Sequence, residues 1–190
     1  MKSTIIIIFL SLIAGGACGT TIYVGQNQTF NNIQSGIDAA VSGDTVMIAP
    51  GIYAGNNNKN LNFGGRNICL ISESGPGEVI INCRDDGRAF YFHSGETSEA
   101  VVNGITIKNG ESHNGGAVHI QNSSPVFKHC IFADNFAWNE GGGVYISNGC
   151  PEFISCTFYR NSAFKGGAIY GYRTNLEVNN CILEDNFASG

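Results

Sequence analysis

The sequence predicts an all-β protein that folds as a single-stranded parallel β-helix, a solenoid of stacked coils, with one capping helix near the N-terminus. Two patterns lead to this prediction: the second half of the chain repeats every 25 or 26 residues, and apolar and polar residues alternate within each repeat. Glycine provides 26 of the 190 residues and only 13% of residues are charged, against averages of roughly 7% and 25%. This composition excludes a coiled coil, and a hydrophobic content of 43% excludes a charge-driven disordered chain.

Two sequence blocks recur in each repeat. The first contains a glycine pair followed by a short apolar strand, and its copies are residues 115–120, 141–146 and 166–171. The second runs from a cysteine to an asparagine, and its copies are residues 130–135, 156–161 and 181–186. In both blocks the successive offsets are 26 and 25 residues. Self-similarity at such a period is the sequence signature of stacked structural units.

The apolar residues inside these blocks recur at every second position, for example at Val118 and Ile120, which is the period of a β-strand. Gly, Asn, Ser and Pro between the runs indicate tight corners. A chain that closes one coil per repeat places each residue about 4.8 Å from its equivalent in the next coil. We therefore expect Asn135, Asn161 and Asn186 to form a side-chain ladder at one corner, and the glycine pairs to supply a turn with positive φ.

The clear repeats span residues 104–190, and the upstream residues fit the same scheme with weaker periodicity. Earlier strands are predicted at residues 45–48, 67–71, 79–83 and 89–92. A helix is predicted at about residues 30–42, with Thr29 as its N-cap and Gly43 at its end. The apolar positions that keep helical spacing are Phe30, Ile33, Ile37 and Val41. Such an amphipathic helix would cover the open apolar end of the strand stack.

The N-terminus has the layout of a secretory signal peptide, residues 1–19. Met1 and Lys2 precede an apolar stretch and then small residues, and the stretch is too short to span a bilayer. Cleavage after Gly19 would leave a β-helix domain at residues 20–190, whereas lipidation at Cys18 is the alternative. Both outcomes predict a protein that is secreted or held at the cell surface. Because no second apolar run follows, we predict no transmembrane helix in the mature chain.

Parts of the chain resemble known β-helix families. The N-terminal segments resemble the opening of right-handed parallel β-helix proteins of the pectate-lyase-like superfamily, and they are residues 22–25, 30–40, 43–46 and 49–53. The later part resembles the repeats of polymorphic outer membrane proteins, with Gly-Gly-Ala-aliphatic and Phe-x-x-Asn signatures at residues 115–118, 166–169, 132–135 and 158–161. Gly143 and Leu183 depart from these signatures. The resemblance implies a right-handed solenoid and an exported or outer-membrane location, but no single activity, since the superfamily contains lyases, hydrolases and adhesins.

Six cysteines follow Cys18, and an even number in an exported chain raises the question of disulfides. Cys130, Cys156 and Cys181 share one inward position on successive coils, and Cys83 is assigned to the same position. Stacked Cα atoms lie within disulfide range, so bridges stay open as an alternative. In-register side chains point the same way, however, and favour buried free thiols. No spacing of Cys and His is typical of a zinc site.

Four side chains are predicted at equivalent outward positions on one face of the solenoid: Tyr91, His119, Tyr145 and Tyr170. We call them the aromatic stripe and predict that they bind a glycan or a surface partner, because sugar rings stack on rows of aromatic rings. The alternative is a ladder that stabilises only the fold, since an aromatic pair contributes roughly 0.5–1.5 kcal/mol by itself.

Two carboxylates are candidates for a catalytic pair. Glu152 and Glu177 are predicted to point outward on adjacent coils, with their oxygens roughly 5 Å apart, and retaining glycoside hydrolases use carboxylates about 5–5.5 Å apart. The alternative is two solvated surface residues. The acidic run at residues 84–88 invites comparison with the calcium-dependent lyases of this fold, but adjacent acids in an Asp-Gly sequence favour a surface turn. We predict no metal site and no cofactor, with Ca²⁺ as the one alternative.

These features together predict an exported protein that acts by binding, either adhesin-like or polysaccharide-binding, with an extracellular polysaccharide or surface partner. Its net charge of −5 gives no electrostatic footprint for nucleic acid. Two alternatives stay open: a polysaccharide lyase or glycoside hydrolase acting on pectin-like substrates, and a structural spacer without ligand. Residues 187–190 stop where the next glycine pair should begin. We therefore expect a truncated array, or an end-to-end contact with another copy.

Overall fold

A computed structural model describes residues 19–190 of the chain. The predicted leader, with the alternative lipidation site at Cys18, lies outside the described residues. Within them the chain forms a parallel β-helix of about seven coils, which confirms the predicted fold, and all strands of its sheets pair in parallel. No helix in this part of the chain is long and apolar enough to cross a membrane.

The helices and strands are short and follow one another closely. The elements of the first three coils are β1 (Thr21–Val24), α1 (Ile33–Ala39), β2 (Thr45–Ile48), β3 (Gly51–Tyr53), a 3-10 helix (Asn56–Asn58), β4 (Cys69–Ser72), β5 (Val79–Asn82) and β6 (Phe90–Phe92). Those of the next two coils are β7 (Val101–Asn103), β8 (Thr106–Lys108), β9 (Glu111–Asn114), β10 (Val118–Gln121), β11 (Val126–Lys128), β12 (Ile131–Ala133), β13 (Phe136–Glu140) and β14 (Val144–Gly149). Those of the last two coils are β15 (Glu152–Ile154), β16 (Thr157–Tyr159), β17 (Ser162–Lys165), β18 (Ile169–Thr174), β19 (Glu177–Asn179), β20 (Ile182–Glu184) and β21 (Phe187–Ala188).

The strands of the described residues assemble into four sheets, A to D, that run along the solenoid. Sheet A has the order β1-β2-β4-β7-β11-β15-β19, and sheet B has the order β3-β5-β8-β12-β16-β20. Sheet C has the order β6-β10-β14-β18, and sheet D has the order β9-β13-β17-β21. From β7 onward each complete coil visits sheets A, B, D and C in turn. Sheets C and D begin with β6 and β9, later along the chain than sheets A and B.

The predicted ladder of asparagines lies at the corner between sheets B and D. Asn135 Nδ2 donates to Asn161 Oδ1 at 2.9 Å, and Asn161 Nδ2 donates to Asn186 Oδ1 at 2.9 Å. Asn135 and Asn161 are almost completely buried, so their amides depend on these partners. The residue before each ladder asparagine has a left-handed backbone, which turns the chain sharply, and these residues are Asp134, Arg160 and Asp185.

The glycine pairs form the corner between sheets D and C, as predicted. Gly115, Gly141 and Gly166, the first of each pair, have φ values of 66°, 69° and 64°, which glycine adopts without strain. The second glycine is required by close stacking of the backbone: a Cβ on Gly142 would lie 2.3 Å from the carbonyl oxygen of Gly167 in the next coil.

The core lies inside the coils and consists of the inward side chains, which occur at every second position of the strands. Its largest side chains are stacked phenylalanines: the Phe127 and Phe153 rings lie 5.2 Å apart, and the Phe132 and Phe158 rings 4.6 Å apart, each pair inclined by only 6°. All four are fully buried. The period-two pattern of the repeats is thus confirmed as the pattern of burial.

Helix α1 is shorter than predicted. It begins after Asn32, whose side chain accepts a hydrogen bond from the Ser35 N–H, so Thr29 is not the N-cap. It ends at Ala39, because the following residue is extended and Asp44 binds the Val41 N–H at 2.9 Å. Its buried residues Ile33 and Ile37 pack into the core of the first coil. The helix thus lies at the end of the stack where the cap was predicted.

All six cysteines of the described residues are free thiols. Cys130 and Cys156 are buried and immediately precede the paired residues Ile131 and Thr157, which confirms their shared position. Cys156 N–H donates to the Cys181 sulfur at 3.3 Å. Hydrogen bonding to Cys130 and burial raise the pKa of the Cys156 thiol. Cys130 and Cys156 are thus groups of the protein interior, whereas Cys150 is exposed.

The assignment of Cys83 to this column is wrong. Ile80 pairs with Thr106, which in turn pairs with Ile131, so Cys83 lies beyond the end of β5 while Cys130 lies before the start of β12. Cys83 is nevertheless buried, and burial raises its pKa to about 12. The cause of the wrong prediction is the unequal length of the upstream coils, in which the paired residues of β4 and β7 are 32 positions apart.

The seventh coil is more exposed than the six before it. Val178 and Leu183 pair with the core residues Phe153 and Phe158, but they are 40% and 54% exposed. The end-to-end contact with another copy stays a prediction.

Candidate functional site

The aromatic stripe lies on the outer face of sheet C, in the predicted register. Tyr91 pairs with His119, His119 with Tyr145, and Tyr145 with Tyr170. The ring centroids along the stripe are 4.9, 4.8 and 5.9 Å apart. Tyr145 and Tyr170 are stacked at 4°, whereas His119 and Tyr145 meet edge to face at 77°. All four residues are half-buried, so each ring contacts its neighbours in the stripe and keeps an open side.

The middle of the stripe carries no charge at neutral pH. Burial, together with the charges of Arg88 and His93, lowers the pKa of His119 to about 4. The Arg88 guanidinium lies over the Tyr91 ring, 5.6 Å from its centroid, and this cation–π contact holds the one strong positive charge at the β6 end. A ligand along the stripe therefore meets neutral rings, with a cation at one end.

A second row of side chains runs parallel to the stripe, two residues further along each strand. Gln121, Ser147 and Tyr172 pair in register on β10, β14 and β18, and His93 directly follows β6. We call these four residues the polar column. The Tyr91 hydroxyl donates to Gln121 Oε1 at 3.1 Å, which ties the two rows together. The Tyr91 and His93 rings also lie close, 4.1 Å apart.

Sequence analysis did not assign the polar column to the site. The signal was present, because residues i and i+2 of a strand face the same side. Each member follows a stripe residue by that spacing. Its residue types differ from coil to coil, however, so the repeats in the sequence do not reveal the polar column.

Glu140 and Lys165 lie beside the far end of the stripe, at the corner between sheets D and C. Lys165 Nζ is 3.6 Å from Glu140 Oε1, and the Glu140 carboxylate is only 16% exposed. Desolvation, together with the negative charge and hydrogen bonding of Glu140, raises the pKa of the Tyr170 hydroxyl. Tyr170 therefore stays protonated at neutral pH and presents a hydroxyl next to an ion pair.

The two candidate catalytic carboxylates lie on a different face. Glu152 and Glu177 are paired residues of β15 and β19 in sheet A, so the predicted placement on adjacent coils is correct. Glu152 Oε1 accepts a hydrogen bond from Asn179 Nδ2 at 3.0 Å. The structure does not bring this pair together with the aromatic stripe, since the stripe belongs to sheet C.

The acidic run at residues 84–88 forms a turn. Arg84 and Asp85 both have left-handed backbones, with φ of 56° and 54°. Asp86 pairs with the buried Lys59, whose Nζ also donates to the Asp86 carbonyl at 2.9 Å. Within residues 19–190, no group of three or more His, Cys, Asp or Glu side chains is arranged to hold a metal ion.

A pocket of about 410 Å³ lies near the first coils, away from the stripe. Its lining is neutral and includes Gln26, Asn31, Ile52, Tyr53 and Asn58. The Tyr53 hydroxyl donates to the Ala49 carbonyl at 2.8 Å, and burial, with the charge of Glu73, raises its pKa. This lining offers no group for proton transfer at neutral pH.

Comparison with protein-family models and with curated proteins found no match. Among solved structures, the chain is similar to a crystal structure of a pectin methylesterase mutant in complex with a hexasaccharide, with a TM-score of 0.47 and 11% sequence identity. The alignment covers 87% of this chain, which spans 66% of the length of that protein. At this identity and TM-score the similarity gives no information on activity or ligand.

Proposed function

We propose that this protein binds a polysaccharide along the outer face of sheet C. One observation supports the proposal above the others: a row of four aromatic rings lies beside a parallel row of hydrogen-bonding side chains. Sugars present apolar C–H faces and polar hydroxyls at the same time. Aromatic rings with polar handles, such as tyrosine, match both kinds of group, and a few placed polar groups fix the orientation of a ligand.

The dimensions of this face suit a chain-like ligand. Four strands at about 4.8 Å spacing give the stripe a length of about 14 Å. That length allows contact with several consecutive sugar rings rather than one. The contacts also repeat from coil to coil, as the units of a polysaccharide do.

The competing interpretation is that the stripe stabilises only the fold. Calorimetric titration with a panel of oligosaccharides, including cellohexaose, xylohexaose and a galacturonic acid hexamer, separates the two. We expect Tyr145→Ala and Tyr170→Ala to weaken binding about tenfold or more, as for aromatic anchors elsewhere, while Tyr145→Phe keeps most of the affinity. Tyr23→Ala is the matched control, because Tyr23 is an exposed tyrosine (49%) on sheet A.

Unchanged affinity in Tyr145→Ala and Tyr170→Ala would overturn the stripe as the binding surface. Absence of binding to the whole panel, together with a loss of stability in the alanine variants, would favour the purely structural ladder.

We also propose that the protein is exported and works outside the cell or at its surface, as an adhesin-like or polysaccharide-binding protein. The layout of residues 1–19 supports this proposal. Expression of the whole chain followed by fractionation and N-terminal sequencing tests it. A mature N-terminus near Thr20 is expected for cleavage after Gly19, a lipid on Cys18 for the alternative, and an intact Met1 in the cytoplasm would contradict both.

The register of Glu152 and Glu177 supports a second candidate, hydrolysis of a glycan on sheet A. In a retaining mechanism one carboxylic acid protonates the leaving oxygen while the other carboxylate attacks the anomeric carbon. Release of reducing ends from pectin or xylan, and its loss in both Glu152→Gln and Glu177→Gln, would support this function. Release that persists in both variants would exclude this pair.

A further inference from the structure

Three large aromatic side chains lie exposed on sheet D, around the corner from the stripe, and the third of them, Phe187 of β21, is 62% exposed. Trp138 of β13 is 64% exposed and Phe164 of β17 is 48% exposed. Ala137 and Ala163, the residues before them, are buried and pair in register. Trp138 and Phe164 therefore follow the same inward position on adjacent coils, and both are exposed on the outward side of sheet D. We call these two residues the sheet D platform.

The Trp138 side chain of the platform is held by a contact with a neighbouring ring of the same strand. The Phe136 and Trp138 rings meet edge to face, with centroids 4.8 Å apart and an angle of 82°. The pairing of β13 with β17 shifts between Ala137 and Glu140, so β13 has an extra residue there. Such a bulge redirects the side chains next to it. One face of the indole is therefore supported by the protein while a large part of the ring stays open.

The platform and the aromatic stripe are connected through Glu140. Glu140 ends the strand that contains Trp138, and Lys165 directly follows Phe164. These two side chains form the ion pair at the corner. Glu140 also acts on the hydroxyl of Tyr170, the last residue of the stripe. Rings thus lie on both sides of the corner between sheets C and D, with the Glu140–Lys165 ion pair at the corner itself.

We propose that the sheet D platform is a second stacking subsite for the same polysaccharide, so that the sugar chain turns the corner between sheets C and D. In this arrangement Trp138 and Phe164 stack on sugar rings, and Glu140 and Lys165 bind their hydroxyls. The inference rests on the proposed function, because it extends that binding surface.

The size of the platform favours a sugar over a protein partner or a second copy. The exposed parts of Trp138 and Phe164 offer at most about 300 Å² of surface, and at most about 450 Å² when Phe187 is added. A stable protein interface buries about 800 Å² on each partner. The adjacent charges are also already paired with each other, which leaves no net charge for a partner to complement.

Trp138 gives this inference a direct readout, because it is the single tryptophan of the chain. We expect the hexasaccharide that binds best in calorimetry to change the emission of Trp138 in a saturating way, with the same dissociation constant. Phe164→Ala and Trp138→Ala should weaken binding roughly fivefold to tenfold. Tyr23→Ala again serves as the control for loss of an exposed ring. The neutral and uronic-acid hexamers in the panel show which sugar class the surface prefers.

The outcomes separate the two proposals. Calorimetric binding that depends on Tyr145 and Tyr170 but leaves Trp138 emission and the Phe164→Ala affinity unchanged would overturn the sheet D subsite and leave the stripe intact. No binding to any sugar would overturn both. A Trp138 emission change that depends on protein concentration, without sugar, would identify a contact between copies and would also overturn the subsite.

Discussion

Asn135 and Asn161 stack on successive coils with their amides joined, so that each side chain completes the hydrogen bonding of its neighbour. Asn161 Oδ1 accepts from both the backbone N–H and the side-chain amide of Asn135, at 3.2 and 2.9 Å. Its own amide donates to the Phe132 carbonyl at 2.9 Å and to the ladder residue of the next coil. At this corner the side chains thus supply hydrogen bonds in addition to those between the backbones of neighbouring coils, such as Ser162 N–H to the Asn135 carbonyl at 2.9 Å.

This arrangement predicts a large loss of stability for Asn161→Ala. The substitution removes all four side-chain hydrogen bonds and leaves buried partners unsatisfied, each of which costs about 1–3 kcal/mol. We expect the free energy of unfolding to fall by about 3 kcal/mol or more, measured by denaturant titration. Asn57→Ala, at an exposed position of the 3-10 helix, is the control and should change little. Equal effects of the two substitutions would contradict a structural role for the ladder.

The environment of Glu96 predicts that the folded protein loses stability in acid. Burial alone would raise the pKa of this carboxyl, but hydrogen bonds from the N–H groups of Gly65 and Ser94 and from the Ser123 hydroxyl outweigh burial and lower it. Because the folded pKa lies below the unfolded one, the stabilisation is complete above the ordinary value of 4.5 and is lost as the pH falls further.

Unfolding free energies measured from pH 6 to pH 3 test this prediction. Glu96→Gln should be less stable than the wild type at pH 6 and should lose less stability on acidification. Glu78→Gln, at an exposed position, should retain the wild-type pH profile. The same profile in Glu96→Gln and in the wild type would show that Glu96 is not the linked group.

The environment of His119 predicts a second effect of pH on the stability of the fold, at higher pH than the effect of Glu96. Its pKa is lowered from 6.5 to about 4, chiefly by burial in the stripe. The stabilisation is therefore complete above pH 6.5 and is lost as the pH falls towards 4, since only the unfolded chain takes up the proton in that range. We expect His119 to make no contribution to any change of saccharide binding between pH 8 and about pH 5, because its folded imidazole remains neutral there.

An NMR titration of the His119 ring checks this expectation directly, with a midpoint near 4. A midpoint near 6.5 would mean that the ring is solvated and that the stripe is more open than the structure shows. His119→Phe provides the matched variant, and its stability should depend less on pH between 6.5 and 4.

The cysteines should differ strongly in their reaction with a thiol reagent. Cys150 is exposed, whereas Cys83, Cys130 and Cys156 are buried. We expect Cys150 to be modified first and the three buried thiols only after unfolding, because burial excludes the reagent from all three and raises the pKa of Cys83 and Cys156. Mass spectrometry after labelling gives the order, and Cys150→Ser should remove the fast phase. Rapid labelling of Cys156, or a mass that reveals a disulfide, would contradict the free buried column.

The repeats made the second half of the chain predictable. Equal offsets of 25 and 26 residues bring like residues together, so the asparagine ladder and the stripe follow from counting. The same method failed for Cys83, since insertions change the coil length upstream. It also failed for the start of α1, where Asn32 rather than Thr29 binds the free N–H groups. Local hydrogen bonding decided that boundary, and spacing does not encode it.

The sequence by itself determined which residues stack on one another and which side of each strand faces the core. Both depend only on the repeat length and on the two-residue period of a strand. The tertiary structure alone decided which outward residues share a face. It placed Glu152 and Glu177 on sheet A, apart from the stripe on sheet C, and it placed Trp138 next to the stripe across one corner. The physical reason is that the corners determine the direction of each sheet. Left-handed residues and a bulge form these corners, and they leave the repeat length unchanged.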